Sequence, residues 1–520
     1  MPKKALILNI VAHQSYIRHL DGENVSKNSI LFSAISETYL PLLNMFASLE
    51  AEGIPFKVNM VMTPTLCSLL SDPVVQEQYI EWLDCLIRLG EAEVARYPEN
   101  SAERKLAEQC LDQNKANKRD FQEVYNQDII SSIVYYAKHG YIELMATAAT
   151  YSFFPHYADI PEAIQAQIEM GLRIHKQYFG LAPEGFWLPY MAYVPGLEKI
   201  IRSYGFNYTI LEKQGLLFAE PKPDCGIFAP VRCKNALAVF AREDDGMEKA
   251  VTGSMYRNQE KDIGFEAEED YLTENFRESE TRVPTGYRYW NQNASEAGYY
   301  DPEMAQNQVK KDADEFISVQ TDKLNKVSCL CPEKDVSIVC SFDASFFGGT
   351  WHEGIQWLEQ IFRKLASQND IELSTCSDLL ENQFQLQQIT PFTSASGENG
   401  YGEGFLDSTN AWMVRYSRKA TERMIDLAAR FSDDTGLKAR SLNLAAKEVL
   451  LAQSGDWAAM IHDNMNPDYA EFRFKESISA FSTIYDSLGS NSISTEWLTR
   501  MEKEHQLFPN INYHVFSTKK

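Results

Sequence analysis

The sequence is short of positive charge. It holds 73 Asp and Glu against 49 Lys and Arg, a formal net charge of −24 at pH 7. An acidic surface repels phosphates and anionic headgroups, so nucleic acid and membranes are excluded as partners, while neutral polymers are not. A cysteine framework is also missing. The nine Cys are scattered, and the one close pair, Cys329-Leu330-Cys331, is too tight for a zinc site and has no matching motif. Reduced thiols and a cytoplasmic location are the expectation. No run looks long and apolar enough to cross a bilayer, and the N-terminal apolar run meets His13 and Gln14 too soon for a signal peptide. His13, His19, His156 and His352 lack ligand spacing, and Gly402-Glu403-Gly404 follows no strand. Neither a metal nor another cofactor is therefore expected.

What is present suits a large packed protein. The chain has 520 residues, 44% hydrophobic and 12% aromatic. Residues 5–12, ALILNIVA, read as a buried parallel strand. Strands are also expected at 56–62, 141–148, 184–188, 206–211, 227–231, 236–240, 336–342 and 371–373. Helices fall between them, at about 30–50, across 74–140, and at 161–178, 195–204, 301–324 and 351–366. Residues 243–300 are charged and loop-rich and read as an insertion. Beyond residue 406 the pattern is helical only, with helices at 411–430, 437–452, 470–488 and after Ser494. Alternating strands and helices followed by helices alone predict an α/β barrel with a helical domain. The expected division is 1–400 for the barrel and 401–520 for the helices.

The stretch GFWLPYMAYVPGLEKIIRSYGFNY carries a strand, a loop at 189–193 and a helix. It resembles the third signature of glycoside hydrolase family 57, in the form found in its 1,4-α-glucan branching enzymes. ILNIVAHQSYIRHL, GYIELMATAATYSFFP and SIVCSFDASFFGGTWHEGIQWL resemble the first, second and fourth signatures. SASGENGYGEGFLDSTNAW echoes the fifth, and ARSLNLAAKEVLLAQSGDWAAMI resembles the helical domain. The resemblance implies an incomplete (β/α)7 TIM-like barrel with a C-terminal α-helical domain, and an α-glucan such as glycogen or amylose as partner.

A retaining glycosidase or transferase needs two carboxylates about 5–5.5 Å apart, one nucleophile and one acid/base. The resemblance implies that Asp343, closing the strand 336–342, holds the acid/base position; read from the residues alone, it is equally a helix N-cap. At the nucleophile position the family has Glu, and this sequence has Tyr190. A phenol, with an ordinary pKa near 10, is protonated at neutral pH. Other family positions depart as well: Val11 replaces the first histidine of the first signature, Tyr151 follows Thr150 where His is usual, and Ser345, Gly349, Thr350 and Ser396 replace polar or aromatic residues. The losses gather at the cleft while the scaffold motifs read cleanly.

Substrate-contacting positions implied by the resemblance are His13, Gln14, Tyr151, Trp187 and Trp351, with Asp456 and Trp457 from the helical domain. Tyr289 and Trp290 join them, because an aromatic cluster in a polar insertion is hard to explain by packing. Glu353 is read as an exposed residue of a helix's first turn, and as a replacement nucleophile only if the His352-Glu353 turn folds inward. Three functions follow. The favoured one is an α-glucan-binding protein with impaired or absent catalysis. The alternatives are an active branching enzyme or glucanotransferase, and a non-catalytic scaffold or regulator.

Overall fold

A computed structural model describes residues 2–19, 28–243, 253–276, 282–292, 298–432, 434–490 and 492–518. Parts of the expected insertion, 244–252, 277–281 and 293–297, lie outside the described residues. Nine strands form one sheet: β1 (Lys4–Ala12), β2 (Val58–Met62), β3 (Ile142–Thr147), β4 (Gly185–Trp187), β5 (Tyr208–Leu211), β6 (Val231–Arg232), β7 (Ala238–Ala241), β8 (Val336–Asp343) and β9 (Glu372–Leu373). Their order is β6-β7-β5-β4-β3-β2-β1-β8, and β9 also pairs with β1.

Seven of these strands run parallel in one path from β7 to β8, and β6 is the antiparallel edge. The two margins meet at one bridge. Arg242, just after β7, pairs in parallel with Val339 of β8, and the Glu243 N–H donates to the Val339 carbonyl at 2.8 Å. The sheet is therefore a curled, incomplete (β/α)7 barrel. β1 lies between β2 and β8 and is buried on both faces, which is why its sequence is an unbroken apolar run.

The helices begin where side chains satisfy free N–H groups. The Thr63 hydroxyl accepts from the Leu66 N–H, the Asp72 carboxylate from Val74, and the Asp301 carboxylate from Glu303 and Met304. After the strands come the helices Ala411–Arg430, Gly436–Ala452, Asp456–His462, Pro467–Ser490 and Thr495–Glu504. Gly436–Ala452 is buried throughout its second half, which explains its run of Leu, Ala and Val. Its C-terminal turn returns the chain to the barrel's mouth, where Ser454 bridges Ser152 and the Gly455 N–H donates to the Tyr151 carbonyl at 3.2 Å.

Several expectations are corrected. The helix begun by Asp301 runs to Leu330. The strand expected at 227–231 shrinks to Val231–Arg232. Cys225 and Cys331 are disulfide-paired, with Cα atoms 6.3 Å apart, so the expectation of thiols throughout fails for this pair, 106 residues apart in sequence and matched only by the fold. The 23-residue helix Ser29–Ala51 is long and apolar enough to cross a membrane by length and composition alone, but most of it is buried against the protein.

Candidate active site

Strands β1, β3, β4 and β8 deliver their C-terminal ends to one cleft of about 870 Å³. Its wall includes His13, Tyr151, Trp187, Tyr190, Arg242, Asp343, Phe346 and Ser396. The β1–β8 register pairs Val11 with Asp343, so His13 emerges beside that acid. Asp343 begins a 3-10 turn but makes no side-chain cap, which leaves its carboxylate open to the cleft. Crowding by the surrounding protein raises its pKa, and the nearby His13 and Arg242 charges oppose that rise. A raised carboxyl suits a general acid.

Tyr190 sits in the turn Pro189–Met191 after β4, with φ 57°, and Tyr151 after β3 has φ 53°. Such left-handed backbone is unfavourable for bulky side chains and persists where the surroundings hold it. Here the Ser396 N–H donates to the Tyr190 carbonyl at 2.7 Å. The Tyr190 ring packs 4.3 Å from Phe405 and edge-on to Tyr151 at 4.8 Å. Gly455 completes the seat, since a Cβ there would lie 2.5 Å from Tyr190 Cε2.

The Tyr190 hydroxyl donates to Asp456 Oδ1 at 2.7 Å. His13 Nε2 meets the same oxygen at 2.8 Å, and the Ser454 hydroxyl donates to Oδ2 at 3.0 Å. His13 is stacked on Tyr151, with ring centres 4.0 Å apart, and its Nδ1 faces the Thr63 hydroxyl at 3.2 Å. The Tyr151 hydroxyl accepts from Trp187 Nε1 at 2.9 Å. Burial would raise the Asp456 carboxyl, but His13, Tyr190 and Ser454 outweigh it and hold the group below the ordinary range. Burial and the Asp456 charge push the Tyr190 phenol far above its usual value. Tyr190 is thus a neutral phenol committed as a donor.

Two acidic residues line the cleft among those described, Asp343 and Glu243. Glu243 is no substitute nucleophile. It bonds at the level of Val339, four residues before Asp343 and roughly 13 Å down the strand, and its carboxylate is paired with Lys323 Nζ at 2.8 Å. Asp456 lies behind Tyr190, beneath the cleft surface. Among the described residues, no group of three His, Cys, Asp or Glu is placed to hold a metal.

The structure gathers His13, Tyr151, Trp187, Tyr190, Asp343 and Asp456 in one place. It does not bring the other expected contacts there. Gln14 is half-buried off the cleft wall, with its carbonyl accepting from Thr65. Trp351 is fully buried in the core, and Trp457 is buried with its Nε1 donating to the Leu451 carbonyl. Tyr289 is fully buried with its hydroxyl on Glu93 at 2.9 Å, and Trp290 packs half-buried beside it. These aromatics of the insertion are packing residues against the helix Pro73–Arg96. Glu353 is fully buried and accepts from the Arg257 N–H at 3.2 Å. Sequence reasoning missed Arg242, Phe346, Phe405 and Gly455; only the Gly-Asp-Trp turn offered a signal for the last.

A parallel β/α barrel with a polar cleft at the C-terminal ends of its strands is the arrangement of barrel enzymes. Residues 7–392 match the family described as glycosyl hydrolase family 57, and 416–516 match the C-terminal region of 1,4-α-glucan branching enzymes. The chain belongs to glycosyl hydrolase family 57. It is 27% identical over 482 residues to 1,4-α-glucan branching enzyme TK1436 of Thermococcus kodakarensis, covering 85% of this chain and 68% of that one. It superposes on the α-amylase AmyC of Thermotoga maritima with a TM-score of 0.92, 29% identity and full coverage of both chains. It shares its fold with the family 57 branching enzyme of Pyrococcus horikoshii, with a TM-score of 0.88, 23% identity and coverage of 99% and 97%.

Proposed function

We propose that this protein binds α-glucans and has lost the glycosyl transfer of its family. Relatives named branching enzyme and α-amylase support a glucan ligand, and so does a cleft large enough for several sugar units. The loss of chemistry rests on one observation: Tyr190 stands at the nucleophile position with its hydroxyl bound to Asp456. A double displacement needs a carboxylate there to form the glycosyl-enzyme. Asp343 alone supplies the proton-transfer half. The wall of His13, Tyr151 and Trp187 offers a stacking face and hydrogen-bonding groups to a sugar.

The test is twofold. Glycogen or amylose in a native gel is expected to retard the wild-type protein, and amylose is expected to come through a branching and hydrolysis assay unchanged. Wild-type turnover abolished by Tyr190→Phe overturns the reading and makes a Tyr-based mechanism the working one. Absence of retardation favours a scaffold over a glucan binder.

A further inference from the structure

Behind the loop that carries Asp343, a second pocket of about 330 Å³ opens to the surface. It lies between the helices Ser29–Ala51, Pro73–Arg96 and Ala102–Arg119, with residues 284–288 and 300–302 closing it. The loop 343–353 separates it from the cleft. Ser345, Phe346 and Thr350 face the cleft, while His352 faces this pocket. The partition is tight: the Thr38 hydroxyl donates to the Phe347 carbonyl at 2.8 Å, and a Cβ on Gly348 would lie 1.8 Å from the Glu37 carbonyl oxygen.

Two buried guanidiniums line the pocket, Arg257 and Arg288, 7% and 6% exposed. They differ in their partners. Arg288 is matched: its Nη1 lies 3.2 Å from Glu37 and its Nε 3.0 Å from Asp262 Oδ2. Asp262 is in turn saturated by the N–H groups of Gly264, Thr285 and Gly286 and by the Thr285 hydroxyl. Arg257 has no carboxylate within ion-pair distance among the described residues. Its Nε has no hydrogen-bond partner, its Nη1 reaches Cys110 Sγ at 3.9 Å, and its plane lies over the Tyr300 ring at 4.4 Å. The neighbouring Glu353 meets the Arg257 main chain, and burial biases that carboxyl toward its neutral form. Glu37 and Glu353 are close enough to act electrostatically on Arg257, but neither pairs with its guanidinium directly, and a buried guanidinium without a direct partner is costly.

The rest of the lining is built for hydroxyl groups. Gln109, Gln113 and Asn117 recur at helical spacing on the face of Ala102–Arg119, with Asn114 beside them. Gln113 Nε2 donates to Asn117 Oδ1 at 2.9 Å and Asn114 Nδ2 to the Tyr287 hydroxyl at 3.3 Å, which leaves the carbonyl oxygens of Gln113 and Asn114 as acceptors. Trp82, Leu86 and Pro284 add an apolar wall.

We propose that this pocket is a second ligand site for a small polyhydroxylated anion of the sugar-phosphate class. The anionic group forks onto Arg257, and the amides of Gln113 and Asn114 take the hydroxyls. A planar guanidinium matches phosphate oxygens two at a time, and amide carbonyls accept from sugar hydroxyls. The site is independent of whether the cleft catalyses.

The experiment is calorimetric titration of the full chain at low ionic strength with glucose 6-phosphate, inorganic phosphate and glucose. Glucose 6-phosphate is expected to bind, inorganic phosphate to bind more weakly, and Arg257→Gln to weaken both about ten- to a hundredfold. Gln113→Ala, on an exposed helix position, is expected to weaken glucose 6-phosphate and leave inorganic phosphate unchanged, and it decides the matter if the Arg257 variant does not fold. A folded wild type that binds neither anion overturns the proposal. So does affinity for glucose 6-phosphate that is untouched by Arg257→Gln, or by Gln113→Ala where that variant decides, since binding then lies in the cleft.

Discussion

The Tyr190 hydroxyl and the Asp456 carboxylate are joined by a 2.7 Å hydrogen bond between the barrel and the helical region. One residue sits in the turn Pro189–Met191 after β4. The other comes from the helix Asp456–His462, 266 positions later in the chain. The bond favours the protonated phenol and the ionised carboxylate, and it ties Tyr190 in the cleft wall to Asp456 behind it.

Restoring the carboxylate tests whether the remainder of the cleft is intact. Tyr190→Glu is expected to gain branching or hydrolysis on amylose. Adding Asp343→Asn to that variant is expected to lower the gained rate by at least about a hundredfold, the usual contribution of a positioned acid/base. Reducing-end and branch-point assays on the two variants decide it. A gain that survives Asp343→Asn removes Asp343 from the acid/base position.

Gly455 is expected to tolerate no side chain while Tyr190 is present. Gly455→Ala places a methyl group 2.5 Å from the Tyr190 ring, an overpacking that costs about 1–3 kcal/mol. Denaturant unfolding measures the loss. Repeating the change in a Tyr190→Ala background should cost much less, and equal losses in the two backgrounds would show that the ring is not seated there.

His505 predicts a slow loss of stability in mild alkali. It is buried, with Nδ1 2.6 Å from Glu448 and Nε2 3.5 Å from Glu476. Burial works against its charge, but the two carboxylates prevail and raise its pKa to about 9. A raised folded pKa gives stability that is complete below the unfolded value near 6.5 and lost as pH rises through about 9. The loss is on the order of 3 kcal/mol between those limits. Melting temperatures across pH 6–9.5 should fall in the wild type and vary much less in His505→Gln.

The Cys225–Cys331 pair predicts seven free thiols under denaturing, non-reducing conditions. Closing a loop of 106 residues stabilises by roughly 4–5 kcal/mol in the chain-entropy account. Reductant is expected to lower the wild-type melting temperature and leave Cys225→Ser unaffected. A count of nine thiols in the isolated protein rules the pair out.

Much of the barrel was legible because its signals are local. The apolar run of β1 and the amphipathic helices follow from periodicity, and the cap at Asp301 from its side-chain chemistry. The sequence also placed Tyr190 and Asp343 at strand ends, because each closes an apolar run just before a turn. It misplaced Tyr289, Trp290, Trp351 and Glu353, since composition cannot say which face of a loop meets another element. The polar insertion hid a buried aromatic layer against Pro73–Arg96, and Glu353 turned inward to meet Arg257.

By itself the sequence determined the order of elements, the acidic surface and the presence of a phenol at residue 190. Tertiary structure alone decided what that phenol does. Its partner Asp456, its seat on Gly455 and the stack of His13 on Tyr151 join segments hundreds of residues apart. The same holds for Arg257, which meets no carboxylate at ion-pair distance among the described residues, a property of the folded pocket. Hydrogen bonding and charge compensation depend on distances of a few ångströms, and those distances exist only after the chain has closed.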